Sequence, residues 1–177
     1  MKHSITVMRH SLKGEDGRLT EEGRELAKKI GRELGQNYSF GWAISSPEER
    51  AYETARLISG KSCPVQKALE VGIPREEMAI ILRLFAKLGN APLAKYFAEG
   101  PEIEQKLLDY GQTGWNMLVD VAQVDHVLVV GHEVLAPAIC AVATKKNHII
   151  MNSSFQECEG ATLTLNEKNE VVHIGLF

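Results

Sequence analysis

Three short blocks of the 177-residue chain carry side chains suited to holding and attacking an anion. Met8-Arg9-His10 is the first, Ser45-Ser46-Pro47 followed by Arg50 the second, and Val129-Val130-Gly131-His132-Glu133 the third. Guanidinium forks match phosphate oxygens bidentately. Arg50 falls in the first turn of an expected helix, where free backbone N–H groups and the positive end of the dipole also favour an anion. The predicted ligand is a phosphoryl group. A histidine set among arginines is also a candidate nucleophile, because neighbouring cations disfavour imidazolium and keep the ring available for attack. His10 takes that reading and His132 is a second catalytic candidate, while His3, His126, His148 and His173 are read as structural.

The elements that must position these residues follow from the pattern of apolar positions. Ile5-Thr6-Val7-Met8 is a β-prone run ending at Arg9-His10, after which a polar, glycine-containing loop leads to a helix over 20–36. Leu26, Ile30 and Leu34 share one face of that helix, with Glu21 and Glu22 in its first turn. A strand over 40–45 is followed by a marked helix start, with Ser46 as N-cap, Pro47 at the first helical position and Glu49 three residues after the cap. Ala51, Ala55 and Ile58 give that helix its buried face. Helices are expected over 75–88 and 101–121, with a short one near 89–92 between them. The run 126–130 reads as a strand buried on both faces. A helix then runs toward Ala143, and two strands over 161–166 and 170–174 form an antiparallel pair. Strand-helix alternation of this kind means an α/β fold with a mostly parallel central sheet. Ligands in such sheets bind at the carboxyl ends of the strands, which is where Arg9, His10, Ser46, Arg50 and His132 are placed.

Composition narrows the classes of function. Lys plus Arg number 20 against 23 Asp plus Glu, a net charge of −3 with a pI near 6.1. That balance argues against a general nucleic-acid partner. The longest apolar stretch, 134–143, is about half of what a bilayer requires, and no leader pattern opens the chain. Three widely spaced cysteines without a C-x-x-C pair argue against a disulfide framework and for a reducing, cytoplasmic home. Cys140, His148 and Cys158 fit no zinc-finger spacing. Gly60-Lys61-Ser62 resembles the end of a P-loop, but Ala55 stands where that motif needs glycine, and no G-x-G-x-x-G is present. Leu84, Phe85, Leu88, Leu93 and Phe97 have helical spacing and read as a core or cap-helix face.

Four ordered blocks resemble the histidine phosphatase superfamily, which includes the phosphoglycerate mutases and the small phosphohistidine phosphatases. They are Met8-Arg9-His10; Leu19-Thr20-x-x-Gly23; Ser45-Ser46-Pro47-x-x-Arg50-Ala51-x-x-Thr54-Ala55; and Val129-Val130-Gly131-His132. The resemblance implies a phosphoglycerate mutase-like fold, a three-layer α/β/α sandwich whose mostly parallel sheet has an antiparallel edge. It implies a single domain over 1–177, with a helical insertion over 72–125 beside the active site. It also implies that His10 attacks phosphorus while Arg9, Arg50 and His132 hold the equatorial oxygens, with no metal and no cofactor. The function expected on this basis is a metal-independent phosphatase. Phosphoglycerate mutase-type transfer and a non-catalytic phospho-ligand module are the alternatives. The partner would be a small phosphorylated substrate or a phosphohistidine protein; oligomeric state is left open.

Departures from the family pattern are specific. Ser11 stands where glycine usually follows the nucleophile, and its hydroxyl is a candidate donor to phosphate. Lys13 takes the place of a second basic residue and is a candidate phosphate ligand. Glu133, directly after His132, is read as the proton donor, with Glu70 as the alternative.

Overall fold

The computed structural model describes residues 3–60, 63–69, 75–121 and 126–177. In chain order the elements are β1 (His3–Arg9), α1 (Glu21–Gly35), β2 (Trp42–Ser45), α2 (Glu49–Ser59), β3 (Val65–Gln66), α3 (Arg75–Leu88), α4 (Leu93–Phe97), α5 (Pro101–Val121), β4 (His126–Gly131), α6 (Leu135–Ala143), α7 (His148–Met151), β5 (Gly160–Leu165) and β6 (Val171–Leu176). The six strands form one sheet in the order β3-β2-β4-β1-β5-β6. β1, β2, β3 and β4 are parallel, whereas β5 runs antiparallel to both β1 and β6. The fold is therefore α/β, with a mixed sheet whose antiparallel part is at one edge.

Both faces of the central strands are covered, which is why β4 is apolar at nearly every position and wholly buried. Side chains alternate between two cores. Ile5, Val7, Val127 and Val129 point to the face covered by α5 and α6, with Tyr96 of α4 and Ile150 of α7 in the same cluster. Met8, Leu128 and Val130 point to the other, where Ala27 and Leu34 of α1 meet Ala51, Ala55 and Ile58 of α2. The small residues let these helices lie close to the sheet. Gly111 does the same between α5 and α6, since a Cβ there would stand 2.5 Å from the carbonyl oxygen of Ala138. Cys140 and Cys158 are buried thiols in cores on opposite faces.

Two expectations about local structure change. α2 starts at Glu49 with Glu48 as N-cap and no side-chain cap, so neither Ser46 nor Pro47 opens the helix. The Ser46 backbone N–H instead extends the sheet by bonding the carbonyl of Val130 at 3.1 Å, and its hydroxyl is drawn toward the third block. The short helix sought near 89–92 starts just after it, at Leu93, behind the Gly89-Asn90-Ala91-Pro92 turn. α1, by contrast, has Thr20 as its N-cap, its hydroxyl accepting from the Gly23 N–H at 3.0 Å. No helix among the described residues is long and apolar enough to cross a membrane.

His126 has a structural place. It is buried at the start of β4, with Nε2 2.9 Å from the Thr6 hydroxyl and its ring stacked on Tyr38 at 4.2 Å. Burial pushes its pKa down to about 4. The unfolded chain binds a proton at this site near pH 6.5, so the stability it contributes is complete above that pH and is lost as pH falls toward 4. Lowering the pH from 7.5 to 5 reduces stability to urea, and His126→Phe removes on the order of 1–2 kcal/mol of that reduction. An identical pH dependence in the variant would contradict this.

Candidate active site

The order β2-β4-β1 places three parallel strand ends side by side. Register brings Arg9 opposite Gly131 and Ser45 opposite Val130. The chain leaving β1 stays tied to β4, with the His10 N–H bonding the Gly131 carbonyl at 3.0 Å. His10 is 1% exposed. Its Nδ1–H donates to the Ser11 carbonyl at 2.7 Å, which leaves the lone pair on Nε2. Arg50 Nε donates to that Nε2 at 3.2 Å, and Glu133 Oε1 lies 3.9 Å from it. The His132 ring stands edge-on to the His10 ring, with centroids 5.2 Å apart. Arg9, His10, Arg50, His132 and Glu133 are thus gathered at one point from three separate strand ends.

Each side chain is held by a partner. Ser46 Oγ lies 2.8 Å from His132 Nε2. When that hydroxyl donates, the ring proton of His132 sits on Nδ1, which is buried with no hydrogen-bond partner among the described residues. Arg9 ion-pairs with Glu133 at 3.0 Å and with Glu157 at 2.7 Å, and reaches the Phe155 carbonyl at 3.4 Å. Arg50 also reaches Glu48 at 2.9 Å. Glu157, Phe155 and Glu48 had no signal in the sequence, since no motif or periodicity marks them.

The two departures near His10 have separate fates. Ser11 is fully buried, and its hydroxyl donates to the Gly23 carbonyl at 2.7 Å, so that proton is committed to the protein. The Ser11 N–H donates to Thr54 Oγ1 at 3.1 Å, tying the loop to α2. Gly23 is required for the approach, because a Cβ there would collide with the Leu12 carbonyl oxygen. Lys13 pairs its backbone with Leu19 and lines the same cavity as Arg50, His132 and Glu133, a space of about 530 Å³. Glu70 lies outside the described residues.

The electrostatics favour an anion. Burial lowers the pKa of His10; the Ser11 bond and Glu133 oppose this, while Arg50 and Arg9 add to it. Burial, then His10 and Arg50, push His132 down to about 3. At Glu133 burial acts upward, but a bond to its own backbone N–H and the Arg9 guanidinium outweigh it, and the carboxyl is held below its ordinary value. His10, His132 and Glu133 offer ligand atoms within 4.8 Å of one another, close enough for a metal ion. Arg9 and Arg50 stand against that same spot, however, and two guanidinium charges suit an oxyanion better than a cation. In 15N-labelled protein at pH 5 the His132 ring is expected to give the nitrogen shifts of neutral imidazole. Imidazolium shifts at that pH would contradict the reading.

Known proteins agree with this arrangement in sequence and in fold. Residues 3–71, which contain the first two clusters, match the model of the Histidine phosphatase superfamily (branch 1). No curated protein matches the sequence. Among solved structures, a protein from Escherichia coli proposed to be an alpha-ribazole-5'-P phosphatase superposes with a TM-score of 0.64 at 19% identity, over 99% of this chain and 94% of that one. YhfR of Bacillus stearothermophilus gives 0.62 at 18% identity, over 99% and 95%. A mycobacterial glucosyl-3-phosphoglycerate phosphatase gives 0.61 at 17%, over 99% and 96%. The first two strand-end clusters thus lie inside the span that matches the model of the histidine phosphatase superfamily, and the chain as a whole shares the fold of these solved structures.

Proposed function

We propose that this protein is a metal-independent phosphatase that hydrolyses phosphomonoesters or phosphohistidine through a covalent phosphohistidine on His10. The observation that carries the reading is the state of His10. Its Nδ1–H donates to the Ser11 carbonyl, so Nε2 carries the lone pair, which accepts from Arg50 Nε in a buried, cationic pocket. Nε2 forms a bond to phosphorus as the ester P–O bond breaks and the leaving oxygen takes a proton. Water then attacks phosphorus, the N–P bond breaks, and inorganic phosphate leaves with Nε2 free again.

Arg9, Arg50 and the Nδ1 of His132 would hold the equatorial oxygens, with Lys13 beside them. Their donors are in place before the substrate arrives, so charge developing on those oxygens is stabilised with little reorganisation. Ser11 is proposed to act by positioning, since its carbonyl orients His10 while its hydroxyl and N–H are held by Gly23 and Thr54. Glu133 is the proposed acid. In the free enzyme Arg9 and its own N–H keep it ionised. A phosphoryl dianion between these groups opposes that charge and raises the carboxyl toward the protonated form. Glucosyl-3-phosphoglycerate and alpha-ribazole-5'-P, named for two structural relatives, are phosphomonoesters, which supports the class of reaction. The helices within 72–125 are read as the part that selects the leaving group.

Hydrolysis of p-nitrophenyl phosphate should persist in EDTA and fall by about a thousandfold in His10→Ala. The neutral ring is the nucleophile, so activity is lost as pH drops through its pKa. Because that pKa is lowered, the acid limb of kcat/KM should lie below pH 6.5. Activity that EDTA abolishes, or a limb above pH 6.5, would contradict the reading.

A further inference from the structure

The cavity that holds the cationic cluster has a second, chemically different wall. Met78, Ile81, Leu82 and Phe85 of α3 line it, joined by Val134 and Leu135 at the start of α6. All six are apolar, and the polar residues that line the cavity among the described residues are Lys13, Glu48, Arg50, His132 and Glu133. Glu48 is already engaged by Arg50, and Glu133 by Arg9. Ile81, Leu84, Phe85 and Leu88 set the inner face of α3 against the core, yet Leu82 stays 59% exposed and still borders the cavity. The side chain of Glu77 anchors the helix to Lys106 at 2.9 Å and to the Tyr110 hydroxyl, and Lys87 reaches Glu99 at 2.5 Å. The apolar wall is thereby held in place beside the phosphate-binding groups.

We infer that the phosphorylated ligand of this site carries an apolar leaving group, aryl or branched alkyl, seated against α3. The inference rests on the phosphatase reading for the identity of the anchored group and adds the chemistry of the remainder. A polyol placed against Met78, Ile81, Leu82 and Phe85 would give up hydrogen bonds to water and find no side-chain partner there. An aromatic or branched alkyl group loses nothing comparable and removes apolar surface from water on both sides. The volume, about 530 Å³, is that of a small-molecule site. The wall is thus selective against sugar phosphates even though the cationic cluster accepts any phosphoryl group.

Non-hydrolysable phosphonates test this without requiring turnover. Benzylphosphonate should bind at least about tenfold more tightly than methylphosphonate by calorimetry. The gap should narrow in Leu82→Asn, an exposed position where folding is not at stake, and in Met78→Asn. Equal affinities in the wild type would overturn the inference, as would a gap that neither substitution narrows. The two readings separate cleanly. Hydrolysis through His10 with equal phosphonate affinities removes the apolar wall and keeps the phosphatase. A selective gap without any phosphoenzyme keeps the apolar ligand and removes the phosphatase.

Discussion

The 2.7 Å bond from His10 Nδ1 to the Ser11 carbonyl decides what the rest of the site can do. A neutral imidazole has one donor and one acceptor nitrogen, and fixing the donor fixes the acceptor. That carbonyl is itself positioned by a chain of contacts. The Ser11 hydroxyl is held by Gly23, its N–H by Thr54, and Thr54 in turn bonds the carbonyl of Arg50 at 2.7 Å. The His10 tautomer, the loop after β1 and the first turn of α2 therefore form one connected unit. Gly23 allows it to close, because only a residue without Cβ fits against Leu12.

Around this unit the charges are balanced in a way that suits exchange of anions. Arg9 is shared between Glu133 and Glu157, and Arg50 between His10 and Glu48. The pocket thus contains guanidinium groups whose protein partners are carboxylates near the surface, together with two histidines kept neutral by burial. A phosphoryl dianion can take over those guanidinium contacts without leaving a buried cation unpaired. The neutral histidines matter as much as the arginines. Protonation of His10 would cost the lone pair on its Nε2, and protonation of His132 would cost the bond that its Nε2 accepts when the Ser46 hydroxyl donates.

Much of the fold was legible because its signals are local. Strands such as β4, apolar on both faces, and helices such as α1, capped by Thr20, each carry their pattern within about fifteen residues. The convergence of Arg9, Arg50 and His132 followed from the rule that parallel strand ends share one edge. What stayed hidden depends on contacts between distant residues. Ser46 looks like a helix cap, and only the neighbouring strand end shows that its hydroxyl is turned to His132. The Ser11 hydroxyl looks like a phosphate donor until Gly23 is seen to take its proton. Glu157 and Phe155 meet Arg9 from the loop before β5, across more than 140 residues of chain. β3 and α7, with 2 and 4 residues, are too short to show periodicity.

The proposed reaction requires Nε2 of His10 to be the atom that attacks phosphorus. The most direct measurement is to quench the enzyme during turnover, isolate the phosphoenzyme under alkaline conditions and identify the linkage by 31P NMR and mass spectrometry. Phosphate on Nε2 of His10 is the expected result. Phosphate on Nδ1, on another residue, or no phosphoenzyme in a protein that turns over substrate would contradict that reaction.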